Sequence, residues 1–136
     1  MIICVKIGVM NDDEIKTFAQ LTLGCGCPEE VFRHIDCKFD IRVGDVLLKN
    51  RINIGNRLLI YITRISDMNS IKYILNFLIG RGIKDRDESG FNRFRLVLAT
   101  DDSGAMKQAA ESIFADIDKD EKVHLHIIPE KDMPDF

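Results

Sequence analysis

Three groups of residues in this chain have types and spacings suited to chemistry. The first is Cys25-Gly26-Cys27, followed by His34 and Cys37. A Cys-x-Cys pair with glycine at its centre turns sharply enough to set two thiolates on one metal ion. Cys27 precedes Pro28, Glu29 and Glu30, which read as an N-cap, a first helical residue and an acidic first turn. Unsatisfied N–H groups there favour a thiolate on Cys27, and the two glutamates oppose it. The second group is His124-Leu125-His126. On a strand its two imidazoles share a face and can chelate one ion. The third is Asp101-Asp102-Ser103, between a predicted strand and a predicted helix. Ligands of parallel α/β sheets gather at such carboxyl ends. The aspartates can hold a hard cation, and the N–H groups after Ser103 a phosphate.

Spacing limits how these groups combine. A helix over 28–36 places His34 roughly 10 Å and Cys37 roughly 15 Å from Cys27 along its axis. One zinc ion, with ligand bonds of about 2.0–2.3 Å, cannot reach both ends. The four-ligand set to expect is therefore Cys25, Cys27, His124 and His126, holding zinc or an iron–sulfur centre. The same two cysteines can instead cycle between dithiol and disulfide. Cys4 and Cys37 read as core residues.

These groups need elements to position them. Ile3, Val5, Ile7 and Val9 alternate as a first strand, and Asn11 or Asp12 caps a helix carrying Ile15, Phe18, Ala19 and Thr22. Gly24 is placed to stop that helix. A second helix buries Val31, Phe32 and Ile35, and residues 38–43 alternate as a short strand. Residues 44–56 suit a hairpin, and 57–65 are almost wholly apolar, as in a central strand covered on both faces. A helix from about 71 ends at Gly80-Arg81-Gly82, and a charged loop spans 84–90. A strand at 93–100, a helix after Ser103 and a strand at 122–128 complete the order, with a frayed tail over 129–136.

Strands alternating with helices predict a single-domain α/β sandwich over 1–136. Its sheet is mixed but largely parallel, of four or five strands, with three or four helices. A ferredoxin-like unit with an added helix and strand ranks second.

Composition narrows the function. With 136 residues, 46% apolar and 30% charged, the chain can bury a core without disulfide staples. A net charge of −3 and no tryptophan give no basic field for nucleic acid or anionic lipid and little to stack on bases. No run approaches a membrane span, and Lys6 interrupts the apolar start, so a cytoplasmic address with reduced thiols is expected. No phosphate loop, dinucleotide glycine pattern or nucleophile elbow occurs. The leading expectation is a metal-binding or thiol-redox module built on Cys25 and Cys27. The alternatives are an interaction or homo-oligomerisation module with structural cysteines, and a binding protein or enzyme for a phosphorylated ligand at Asp101-Asp102-Ser103.

Overall fold

A computed structural model describes residues 12–24, 29–101 and 103–133. The fold is α/β, with one five-stranded mixed sheet. The strands are β1 (Ile35–Val43), β2 (Val46–Ile54), β3 (Leu58–Arg64), β4 (Arg93–Thr100) and β5 (Val123–Pro129), and they lie side by side in that order. β1–β2 and β2–β3 pair antiparallel, while β3–β4 and β4–β5 pair parallel. The sheet is thus evenly mixed, not largely parallel. The reason is local: two tight turns, at Gly44-Asp45 and Gly55–Arg57, make residues 35–64 a three-stranded meander. Only β3, β4 and β5 are joined by helical crossovers, which parallel pairing requires.

Those crossovers are α2 (Ile71–Ser89) and α3 (Ser103–Ala115). The strand order advances in one direction through β3, β4 and β5, so crossovers of one hand place both helices on the same face. There Leu75, Leu78, Met106 and Ala110 pack with Leu59, Phe94, Leu96 and Leu98. The other face is covered by α1 (Asp12–Thr17), a π-helical turn (Phe18–Thr22) and a 3-10 turn (Glu29–Arg33). Ile15, Phe18, Leu23, Val31 and Phe32 pack there on Ile52, Ile60, Ile62 and Val97.

Three expectations change. The expected helix over 28–36 is a 3-10 turn that ends at Arg33, and Cys37 lies in β1. Gly80 and Gly82 do not end α2, which runs through the expected charged loop to Ser89 and stops at Gly90, whose φ of 80° is the left-handed cap. Gly82 is needed inside the helix for space: a Cβ there would lie 2.1 Å from Cζ of Phe94. The expected tail begins with a 3-10 turn, Glu130–Asp132, and Met133 packs against the core. Gly24, with φ 69°, follows the first helical segment as expected. The expected first strand, Ile2–Val9, lies outside the described residues.

The β1–β2 hairpin changes faces along its length. Cys37, Ile52 and Ile54 belong to the cluster under α1, whereas Val43, Val46 and Leu48 belong to the cluster under α2. The ladder has no rung between Asp40 and Lys49, and Asp40 takes a left-handed φ of 54°. This kink carries the hairpin tip toward α2.

Candidate functional site

The residues expected to do chemistry fall at two places. On the face under α1, β4 presents Arg95 and β5 presents His124 and His126, with Arg95 and His124 paired in register. Arg95 is 8% exposed. Its Nη1 donates to the Leu23 carbonyl at 2.9 Å and lies 2.9 Å from Nε2 of His126. Guanidinium offers only donors, so Nε2 accepts, and the neutral imidazole carries its proton on Nδ1.

Burial, then the Arg95 charge and His124, push His126 down to about 4. Burial, Arg95 and Arg93 lower His124 as well. Both rings are therefore neutral near pH 7. Burial and Arg93 also lower Arg95 itself. Among the described residues no carboxylate pairs with Arg95, and its Nε, like Nε2 of His124, lacks a hydrogen-bond partner.

The chain enters this site at Leu23. Cys25 is two residues on, a reach of about 7 Å at most. Cys25 and Cys27 themselves lie outside the described residues. Cys37 is buried on the same sheet face, in β1, and accepts a 3.6 Å hydrogen bond from Nδ2 of Asn50. It is disulfide-bonded, with its partner outside the described residues. Burial was expected for Cys37; the disulfide was not. His34 is exposed, and its carbonyl accepts from Gly55 N at 2.7 Å.

The arrangement suits a thiolate or another anion better than a cation. The Arg95 N–H occupies the Nε2 lone pair of His126 that a metal would use, and the guanidinium charge repels a metal ion. Among the described residues no three His, Cys, Asp or Glu side chains are grouped to hold one.

Comparison with family models, curated proteins and solved structures finds no match to this chain.

The second place is the carboxyl edge of the three parallel strands. Arg64 ends β3, Asp101 follows β4 and Glu130 follows β5. Arg64 Nε and Glu130 Oε1 are 2.9 Å apart. The Glu130 carboxyl bonds to Asp101, and that bond raises its pKa. The two carboxylates offset the charges of Arg64 and Lys49, which does not favour a phosphate. Asp102 lies outside the described residues, and α3 begins at Ser103.

Sequence reasoning left Arg95 out of its candidate sites, as one more charge in a chain that is 30% charged. The signal against that was its alternation with Val97 and Ala99, which puts it on a buried strand face. It also missed a network across the opposite face. Arg51 of β2 clamps Asp85 of α2 through Nε at 2.9 Å and Nη2 at 2.8 Å, Tyr61 donates to Asp85 at 2.5 Å, and Ser89 Oγ donates at 3.1 Å. Burial works against the Asp85 charge, but the bonds from Arg51, Tyr61 and Ser89 outweigh it and hold the carboxyl below its ordinary range. Burial and the Asp85 bond raise Tyr61 well above the usual phenol range.

Proposed function

We propose that this chain is a thiol–disulfide exchange module in which Cys25, Cys27 and Cys37 share the redox chemistry. The disulfide at Cys37 carries the reading, because it adds a third, already oxidised cysteine to the Cys25-Gly26-Cys27 pair. In the reduced cytoplasm expected from the sequence, a disulfide is usually transient and catalytic or redox-sensing. Arg95 supports the reading through its fixed charge: it holds the carbonyl of Leu23, two positions before Cys25, and a nearby cation favours a thiolate.

The step is an exchange. A thiolate of Cys25 or Cys27 attacks one sulfur of a partner disulfide, and the partner's S–S bond breaks as its other sulfur leaves with the electron pair. A second cysteine of the chain, as thiolate, then attacks the mixed disulfide and closes the chain's own bond. The partner leaves as a dithiol, and the chain is oxidised by two electrons. The partner is a protein or small-molecule disulfide. The scaffold is read as a single α/β sandwich domain, with neither nucleic acid nor membrane as its target.

The competing reading is zinc or an iron–sulfur centre on Cys25, Cys27, His124 and His126. One experiment separates the two: elemental analysis of anaerobically purified protein, with alkylation mapping before and after reduction. The expected result is no stoichiometric zinc or iron, with Cys37 alkylated only after reduction, together with Cys25 or Cys27. Cys25→Ser or Cys27→Ser then leaves Cys37 open to alkylation without reductant. Metal lost in the Cys25→Ser/Cys27→Ser variant, or Cys37 bonded to Cys4, sinks the proposal.

A further inference from the structure

We propose that the cleft between the β1–β2 hairpin and α2 binds the phosphate group of a small molecule. The cleft has a volume of about 270 Å³ and is lined by Arg42 from β1, by Arg81, Lys84 and Glu88 from α2, and by the Arg51–Tyr61–Asp85 network. Residues 81, 84 and 88 follow helical spacing, so the three α2 side chains share one face. The change of faces in the hairpin turns Ile41 and Val43 toward α2, and this stretch of β1 forms the far wall of the cleft.

The network and the cleft divide the charges between them. Asp85 is committed to Arg51, Tyr61 and Ser89, and its charge is met by Arg51. Farther along α2, Arg86 pairs with Asp120 and Asp87. That leaves Arg81 and Lys84 in the cleft against Glu88 alone. Among the described residues none of these three makes an ion pair.

Two uncommitted cations against one carboxylate leave the cleft positive in a chain with net charge −3, and a bound anion offsets that charge. A guanidinium beside an ammonium matches the oxygens of a phosphate, because arginine can bond it through two parallel N–H groups. The volume lies near the low end for small-molecule sites, which fits a phosphate with a small attached group. The cleft is on the sheet face opposite Cys37, so this site and the thiol chemistry stand or fall separately.

The test is an NMR titration of the full chain with inorganic phosphate, pyrophosphate and sulfate at low ionic strength. Saturable shifts clustered at 41–43 and 81–88 are expected, with pyrophosphate binding more tightly than phosphate. Arg81→Gln/Lys84→Gln should weaken binding by about tenfold or more, the equivalent of one charge-assisted hydrogen bond. These side chains are exposed and make no ion pair among the described residues, so the variant should fold. Arg57→Gln, at an exposed arginine in the β2–β3 turn, should leave binding unchanged. Shifts that do not saturate below roughly 10 mM, or equal weakening by Arg57→Gln, would overturn the site. Sulfate binding as tightly as phosphate would mark an adventitious ion only and overturn it as well.

Discussion

At Asp85 one carboxylate accepts from a guanidinium, a phenol and a serine hydroxyl, and this ties α2 to β2 and β3. Asp85→Asn removes the charge that Arg51 and Tyr61 were placed to meet. Side chains 19% exposed on both sides of the ion pair reduce the cost below that of a fully buried pair. The expected loss is about 2 kcal/mol in urea unfolding. Tyr61→Phe, which keeps the ring, should lose about 1 kcal/mol.

His126 makes a second prediction at this scale. Unfolded, its ring takes up a proton near the ordinary value of 6.5; folded, only near 4. Between those values the unfolded state binds more protons. Stability contributed by the neutral ring is therefore whole above about 6.5 and falls as the pH drops toward 4. The ring is partly screened by solvent, so the change should be on the order of 1–2 kcal/mol. His126→Gln keeps an acceptor for Arg95 without the titration. Its unfolding free energy should depend less on pH across that window, and an unchanged pH slope would refute the assignment.

Among the elements, α2 offers a sharp comparison between its two interior glycines. A Cβ on Gly82 would run into the ring of Phe94, whereas one on Gly80 meets nothing within 4 Å. Gly82→Ala should destabilise by about 2–3 kcal/mol through overpacking. Gly80→Ala should stabilise by about 0.5–1 kcal/mol, because alanine loses less backbone entropy in a helix. Thermal unfolding of the two variants reads both signs. The pair also explains why a Gly-x-Gly run was mistaken for a helix end. Glycine marks either a stop or a close approach, and only the position of Phe94 distinguishes them. The 28–36 segment misled in a different way. Its acidic start and apolar stripe suit a helix, but Ile35 is already in register with Ile54 on β2. Sheet pairing outweighed local helix signals there.

For the molecule as a whole, the disulfide at Cys37 ties β1 to a cysteine outside the described residues. If its partner is Cys25 or Cys27, the closed loop spans a dozen residues or so, and reduction should cost about 3 kcal/mol through the entropy released to the unfolded chain. Chemical unfolding with and without reductant measures this, and Cys37→Ser should match the reduced wild type.

Much of the fold was legible in the sequence: β3, β4 and β5 with their buried runs, and the helix after Ser103; residues 44–56, expected as a hairpin, are instead the single strand β2 with a turn at each end. The legible elements follow from periodicity and turn residues, which act over a few positions. The mixed character of the sheet was harder to read, because parallel or antiparallel pairing depends on which connections are short. The candidate site was legible in its residue types but not in its grouping. The sequence alone determined that His124 and His126 share a face, since strand pleating requires it. Only the tertiary structure decided that their neighbour is the buried Arg95, because side chains from β4 and β5 meet through strand register. That contact places a fixed positive charge where sequence reasoning had placed a metal.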